Sequence, residues 1–337
     1  MFPYAETKDG EDAMKVLGEM LFQSRFAKEA LEREKKIVIQ ENHKHSSEPF
    51  RVLQELNYEL VYKNTPLAER VGGTDKEIRA FTRDKIMRYL GERYQEAIVS
   101  VAGKLVGSQT RVIGLLDKYL GYKMNYGNGN NKKRDDVMKM PIYHKPRLKA
   151  VSRDFKETYV SLGFPVCALI PGLSNAKERA ACDILGVILA GNMNSRLFMQ
   201  LREKKQYVYT VKYFINHYEI GGELTLQCGT QQKYLKQVVS EIIEELISLI
   251  DKRKIGKKEF EEAIKYRVGE LILNTEDSHE VAAFQAYQYL FLDQCRGIED
   301  EVKVYKKLTL KEVNEVARKV FNLSKVNLAI IHNERKK

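Results

Sequence analysis

Hydrophobic residues recur at helical spacing over most of the chain. One example is the stretch 48–62, where Phe50, Leu53, Leu56 and Leu60 fall on one face of a helix. The same periodicity, together with cap residues, predicts helices at about 11–22, 27–43, 48–62, 82–94, 109–120, 176–190, 195–204, 231–250, 257–274, 280–292 and 298–307. Thr309 and Glu312 form a capping-box pattern that opens another helix.

Shorter apolar or alternating runs predict strands between these helices. Their expected positions are 97–102, 158–164, 207–215, 222–228 and 326–331. Pro165 is expected to end the second of them, because proline cannot donate to a sheet ladder. Strict alternation along 207–215 would place Val208 and Val211 on opposite faces of the sheet. The mixture of helices and strands predicts an α+β fold.

The two halves of the sequence repeat one pattern. Thr82 caps a helix that leads into the strand at 97–102, and Thr309 caps a helix that leads into the strand at 326–331. Residues 155–230 have no counterpart in the first half, so about 75 residues are expected to be missing from it. This predicts a first domain with an incomplete sheet. Either the chain is a fragment, or another chain completes the sheet, or the first domain is rebuilt in a reduced form.

Charge marks the junction between the halves. The chain has 57 Lys and Arg against 46 Asp and Glu, and residues 101–150 hold eleven of the basic residues but three of the acidic ones. We therefore predict a basic linker at 126–150 between domains at 1–125 and 151–337. Nucleic-acid binding through Tyr122, Tyr126 and the basic residues is a weaker alternative, since no nucleic-acid motif accompanies them.

Other sequence features narrow the class. No apolar run approaches the roughly 18 residues that a membrane span requires, and no signal peptide is visible, which favours a cytoplasmic protein without membrane contact. The four cysteines form no C-x-x-C pair, so reduced thiols are expected rather than a zinc ribbon or a disulfide framework.

Two long motifs resemble those of one enzyme family. Residues 32–41 read Glu-Arg-Glu-Lys-Lys-Ile-Val-Ile-Gln-Glu, and residues 195–211 contain Ser-Arg-Leu-Phe at their start, Arg202-Glu-Lys in the middle and Tyr209-Thr-Val at their end. With weaker matches at 66–74, 161–165 and 228–230, they are similar in order and spacing to the insulinase, pitrilysin and mitochondrial-processing-peptidase family of zinc metallopeptidases. The resemblance implies half of a clamshell: two homologous α+β domains, each a mixed or antiparallel sheet packed by helices, with the first incomplete.

The resemblance also implies roles for four residues. Glu41 corresponds to the distal zinc ligand, and Glu34, seven residues earlier on the same helix face, supports it from behind. Arg202 and Tyr209 correspond to the pair that binds peptide substrate and stabilises the reacting carbonyl oxygen. Without the resemblance, the acidic pair is also explained by a solvated helix in which Glu32 pairs with a lysine four residues on. Likewise, Arg202 would suit a helix C-terminus, and Tyr209 would pack on a sheet.

Zinc is the cofactor that the family implies, but this sequence contains no H-x-x-E-H or H-E-x-x-H. His43 and His45 follow Glu41 closely, yet helix geometry would point their rings about 200° apart. A single carboxylate is not a zinc site. We therefore expect no catalytic residues in this chain and no activity from it alone.

Three functions remain open from the sequence. The chain is part of a zinc endopeptidase acting on peptides, a non-catalytic subunit that lends Arg202 and Tyr209 to a metal-bearing partner, or a scaffold. Matches at both Glu41 and the Arg202–Tyr209 pair favour the first, and the expected partners are a peptide and another metallopeptidase-family domain in a homo- or hetero-oligomer.

Overall fold

The computed structural model of the chain describes residues 7–94, 97–103, 108–121, 145–169, 175–251 and 254–333. Contacts divide the chain into two compact units made of interleaved segments. The first unit comprises residues 1–42, 72–136 and 274–290, and the second comprises residues 43–71, 137–273 and 291–337. The predicted division into domains at 1–125 and 151–337 remains a prediction, and most of the predicted linker lies outside the described residues.

Helices provide most of the described structure. The α-helices are α1 (Thr7–Phe22), α2 (Lys28–Ser46), α3 (Pro49–Val61), α4 (Asp75–Arg79), α5 (Arg83–Arg93), α6 (Gln109–Tyr119), α7 (Ala176–Ala190), α8 (Leu235–Asp251), α9 (Lys257–Asn274), α10 (Ser278–Leu292), α11 (Ile298–Lys306) and α12 (Leu310–Val320). The helices predicted from periodicity are confirmed to within a few residues. The predicted N-caps are also present: the Thr82 hydroxyl accepts from the Lys85 amide, and Thr309 forms a full capping box with Glu312.

One five-stranded mixed sheet lies in the second unit. Its strands are β1 (Arg147–Arg153), β2 (Thr158–Val166), β3 (Val208–Tyr218), β4 (Gly221–Thr230) and β5 (Asn327–Asn333), in the spatial order β1-β5-β2-β4-β3. Among the strands of the described residues, only β1 and β5 pair in parallel. The sequence missed β1, which begins inside the predicted linker. Pro165 does not end β2 but pairs opposite Glu223.

The core of the second unit covers both faces of this sheet. Helices α7, α8 and α12 contribute buried residues to the larger cluster, which includes Leu185, Leu246 and Val313. Helix α3 packs on β1, β2 and β5 and buries Leu53 and Leu56 in a second cluster. Because both faces are covered, every residue of β4 is buried.

The first unit contains α1, α4, α5 and α6 and most of α2 and α10. Among its described residues, the buried apolar side chains are Ile39, Ile78 and Leu120. The strand predicted at 97–102 is wrong: the described residues there form no strand, and the side chains of Ile98, Val99 and Val101 are exposed. A strand needs a paired neighbour to satisfy its backbone, and the described part of this unit holds no sheet.

Within the described ranges, no helix has the length and apolar character needed to cross a bilayer.

Candidate functional site

The structure brings Arg202 and Tyr209 together on the second unit. The guanidinium carbon of Arg202 lies 4.9 Å from the centre of the Tyr209 ring and 4.7 Å from that of Phe198. Both distances are typical of cation–π contacts. Tyr209 is 76% exposed, so its ring is held by Arg202 rather than by burial. The pair therefore presents a phenol and a guanidinium to solvent side by side.

Arg202 stands on an unusual helix. Residues Phe198–Lys204 form a π-helix, whereas the sequence predicted an ordinary short helix at 195–204. A π-turn widens the helix by one residue and is found often at functional sites. The Tyr207 amide donates to the Leu201 carbonyl, 2.9 Å away, which closes the end of this turn.

The connection to Tyr209 is irregular as well. Gln206 has a positive φ of 56°, a left-handed conformation that is rare for a residue with a side chain. Strand β3 then contains a bulge: Val208 pairs with Thr230 and Val211 with Cys228, so the bulged strand uses one extra residue between the two pairs. Val208 and Val211 are consequently both buried, and the expected strict alternation is wrong here. The bulge re-aims Tyr209 toward solvent.

Charged side chains fix the base of this segment. Arg196 forms a two-pronged ion pair with Glu259 on α9, at 2.7 Å and 2.8 Å, and a third contact with Glu245 on α8 at 3.0 Å. Gln200 and Lys205 both bind Glu241 of α8, at 2.8 Å and 3.3 Å. Bidentate arginine–carboxylate pairs are geometrically strict, so the π-helix is held in a defined position. Sequence analysis missed Arg196, although it stands in the same motif as Arg202.

The pair lies beside an open edge of the sheet. Strand β3 is the last strand in the order of the described sheet, and β4 occupies its other side. An unpaired edge offers backbone donors and acceptors in a row, to which an extended peptide can add as another strand. The side chains of Arg202 and Tyr209 stand next to the first residues of that edge and can donate hydrogen bonds to such a peptide.

The two glutamates of the predicted metal position lie on α2, which belongs to the first unit up to Asn42. Glu34 and Glu41 are both exposed. Lys35, not Lys36, pairs with Glu32, at 2.6 Å, so the expected pairing four residues apart is replaced by one three residues apart. The role of Glu41 as a zinc ligand and that of Glu34 as its support stay predictions.

A zinc ion does not fit the described residues alone. Zinc requires three protein ligands and an open position in a catalytic site. Among the residues that the structure describes, no group of three or more His, Cys, Asp and Glu side chains is placed to hold a metal ion. Glu41 therefore needs ligands from elsewhere to form part of a zinc site.

Solved structures identify the class of protein that has this fold. A protease from Helicobacter pylori superposes with a TM-score of 0.81 at 18% identity, covering 97% of this chain and 77% of that one. The peptidase M16 inactive domain from Pseudomonas fluorescens gives a TM-score of 0.77 at 16% identity, covering 96% and 75%. At these identities the likeness establishes the fold, which is that of an M16-like peptidase half.

Sequence comparison then identifies the family. The profile of the peptidase M16 inactive domain matches residues 80–266, which is more than half of the chain. The chain belongs to this family, and the resemblance inferred from the two long motifs is confirmed. A relative from Bacillus subtilis strain 168, named uncharacterized zinc protease YmxG, is 27% identical over 312 residues, covering 92% of this chain and 72% of that protein.

Proposed function

We propose that this chain is the peptide-binding half of a zinc metallopeptidase and has no peptidase activity alone. The observation that carries the proposal is the exposed Arg202–Tyr209 pair, held between a π-helix and a β-bulge beside the open edge of β3. Backbone irregularities of this kind cost free energy and cluster where a side chain must be aimed. A purely structural arginine and tyrosine would need neither.

In this function the peptide adds to β3 as an extended strand, and backbone hydrogen bonds supply affinity without sequence preference. Arg202 anchors a carbonyl or carboxylate of the peptide through its forked donors. The Tyr209 hydroxyl donates to the carbonyl oxygen that becomes negative during hydrolysis. The Arg202 guanidinium and the Tyr209 ring are in cation–π contact, so their two donor groups can act on neighbouring atoms of one substrate.

The metal comes from outside the described residues. We propose that Glu41 is one ligand and that a metallopeptidase-family domain bearing H-x-x-E-H completes the zinc site. That domain is either further sequence of the same protein or another subunit. The names of relatives, such as the zinc protease of Bacillus subtilis, support zinc in the family.

Peptide binding can be measured before any activity is reconstituted. We expect a pool of unstructured peptides with a common fluorescent tag to bind the purified chain, and bound peptide to slow hydrogen exchange of backbone amides in 208–218. Arg202→Ala should weaken binding about tenfold or more, because hydrogen bonds to charged groups contribute roughly 1.5–3 kcal/mol. Tyr209→Phe should weaken it about two- to tenfold, because one neutral hydrogen bond is lost.

Two substitutions at unrelated exposed sites serve as controls. Lys257→Ala controls for the loss of a positive charge, and Tyr289→Phe controls for the loss of a phenol hydroxyl. Both should bind peptides like the wild type. Equal binding by the wild type and the Arg202→Ala, Tyr209→Phe double variant, with exchange slowed away from β3, would overturn the proposal. Binding that is confined to another protein subunit and needs neither residue would favour the scaffold function instead.

A further inference from the structure

The two faces of β3 differ in how much of the strand they leave to solvent. On one face, Tyr213 lies against Gly186 of α7, and Ile215 packs against the larger core cluster. On the other face, Lys212 is exposed and the ring of Phe214 is 37% exposed. Because side chains alternate along a strand, Lys212 and Phe214 stand two residues apart on one face. A peptide that pairs with this edge can therefore meet exposed side chains of β3 on that face.

Helix α3 fixes the position of the lysine. The Lys212 ammonium lies 5.2 Å from the centre of the Phe50 ring, within the range of a cation–π contact. Phe50 is in turn held edge-to-face against Tyr159 of β2, with the ring centres 5.3 Å apart. Within the described ranges, the Lys212 ammonium forms no ion pair with a carboxylate. Its positive charge therefore stands at the edge of the sheet with no carboxylate of these residues to neutralise it.

The side chain that faces Phe214 across the ladder is polar. Phe214 pairs with Thr225 of β4, and Lys212 pairs with Gln227. Thr225 and Gln227 are each 1% exposed, so they belong to the interior of the sheet. The exposed part of the Phe214 ring is thus left for an apolar side chain on the outer side of the strand, where its burial is favourable.

We propose that Lys212 and Phe214 are specificity-determining residues, which select a peptide carrying an acidic side chain and, two residues away, an aromatic or branched aliphatic side chain. The inference rests on the proposed function, because it concerns the peptide that adds to the same edge of β3. Side chains directly opposite each other on adjacent strands interact, and opposite charges stabilise the pair whereas like charges destabilise it. An acidic residue opposite Lys212 leaves the next side chain of that face opposite Phe214, where aromatic and β-branched groups pack well.

The separation from Tyr209 gives the position of the acidic residue in the peptide. Tyr209 precedes Lys212 by three residues, which is at most about 10 Å of strand. With the Tyr209 hydroxyl on the reacting carbonyl, the acidic side chain lies about three residues away along the peptide. Arg202 contacts Tyr209 and Lys212 lies farther along the strand, so the two cations bind different groups of one peptide.

A lysine on an edge strand can serve another purpose, since its charge discourages pairing with other chains. Such a protective charge disfavours every added strand, whereas a specificity residue distinguishes an acidic strand from a basic one. Reversal of the charge at position 212 separates these two roles, because it keeps a protective charge but inverts a preference.

Three tagged peptides of equal length and identical flanks test the selection. The first has the core Phe-Thr-Glu-Thr-Phe, which places an aromatic side chain two residues from the acid in either strand direction. The second replaces the glutamate by lysine, and the third, Thr-Phe-Glu-Phe-Thr, moves the aromatic side chains to the opposite face. At low ionic strength we expect the wild type to bind the first peptide about three- to tenfold more tightly than the second, and about two- to fivefold more tightly than the third. Salt at about 0.5 M should remove most of the difference between the first two, because exposed charges are screened.

Variants assign the preference to its residues. Lys212→Glu should reverse the order of the first two peptides, and Lys236→Glu, at an exposed position of α8, is the matched control that should keep the wild-type order. Phe214→Ala should bind the first and third peptides equally. Arg202→Ala should weaken all three peptides and keep their order, which separates this site from the Arg202–Tyr209 pair. Circular dichroism and thermal melts check that each variant is folded.

The outcomes distinguish this inference from the proposed function. Equal binding of the acidic and basic peptides by the wild type, while Arg202→Ala still weakens both, would overturn the inference and leave the proposed function standing. A preference for the acidic peptide that Lys212→Glu leaves unchanged would overturn it as well. If no peptide binds and none slows hydrogen exchange of backbone amides in 208–218, both the inference and the proposed function are wrong.

Discussion

A buried carboxyl shows how single residues set the pH dependence of this fold. Glu223, on β4, is 1% exposed and accepts a 2.5 Å hydrogen bond from the Asn57 amide of α3. Asn57 approaches this closely because Gly163 has no side chain: a Cβ there would lie 2.4 Å from the Asn57 oxygen. Burial raises the pKa of Glu223 to about 8, despite opposing hydrogen bonds from Asn216 and Asn57. The folded protein thus holds a proton that the unfolded chain releases.

The direction of the effect on stability follows. Between the ordinary pKa of 4.5 and about 8, the native state binds more protons than the unfolded state, so the free energy of unfolding falls as pH rises through that window. The loss is on the order of 5 kcal/mol, from about 1.4 kcal/mol per unit of pKa. We expect Glu223→Gln to stabilise the protein above pH 8 and to have little effect below pH 4.5, as measured by urea unfolding at both ends.

Tyr58 and Tyr218 provide the comparison for this measurement. Their hydroxyls meet at 2.8 Å in the same network, and burial raises the pKa of each, so neither titrates in that window. Tyr218→Phe should therefore keep the slope of stability against pH that Glu223→Gln removes. If both variants keep the wild-type slope, the carboxyl is ionised in the native state and the argument is wrong.

Among secondary-structure elements, α7 packs closely against β3, the strand that carries Tyr209. Gly186, in the middle of α7, lies against the ring of Tyr213, and a Cβ added there would come within 2.3 Å of that ring. The helix can pack this closely only because residue 186 is glycine. We expect Gly186→Ala to lower the free energy of unfolding by about 1–3 kcal/mol through overpacking.

Gly269 is the matched control, since it lies inside α9 with no atom within 4 Å of an added Cβ. Gly269→Ala should stabilise the protein by roughly 0.5–1 kcal/mol, because alanine is the better helix former and restricts the unfolded chain. Denaturant melts of the two variants should therefore shift in opposite directions. A neutral Gly186→Ala variant would mean that Tyr213 moves aside at little cost.

The elements also show what sequence can predict here. Helix α3 follows from side-chain periodicity, and α12 follows from periodicity and its capping box, which are local properties. The bulge at Tyr209 and the π-helix at Arg202 depend on how β3 pairs with β4 and on ion pairs to distant helices, so no local pattern encodes them. The motif at 195–211 predicted Arg202 and Tyr209 as site residues, whereas the contact between them is a property of the folded chain. The strand expected at 97–102 failed for the same reason, since strand formation depends on a neighbour.

At the scale of the whole molecule, the zinc content of the purified chain tests whether it can hold the metal without ligands from elsewhere. The sequence has six histidines and no H-x-x-E-H, and Glu41 is one exposed carboxylate. We expect the purified chain to retain far less than one equivalent of zinc after dialysis, because one carboxylate cannot replace three ligands. Elemental analysis measures this directly. One tightly held zinc that is lost in Glu41→Gln would contradict the expectation.

The first unit leads to the last prediction. Its exposed apolar side chains include Ile98, Val99, Val101, Phe81, Met20 and Ile113. A folded unit with few buried and many exposed apolar groups gains free energy by covering them, at roughly 25 cal/mol per Å². We therefore expect the chain to self-associate, or to be stabilised by the N-terminal segment of about 75 residues that the internal repeat predicts. That segment would pair with residues 97–102 at roughly 0.5–1.5 kcal/mol per hydrogen bond.

Light scattering and thermal melts of the chain, alone and with a segment taken from the part of the Bacillus subtilis relative that this chain does not cover, measure the effect. We expect the chain to self-associate when it is measured by itself, or to form a one-to-one complex with the segment that has a higher melting temperature. Val99→Lys is the discriminating variant, because a charge at an exposed apolar position should disrupt association without disturbing a core. Lys15→Glu controls for a change of charge at an exposed position of the same unit. A monodisperse monomer that melts cooperatively and ignores the segment would show that the first unit is stable with this surface in water, and the pairing argument would fail.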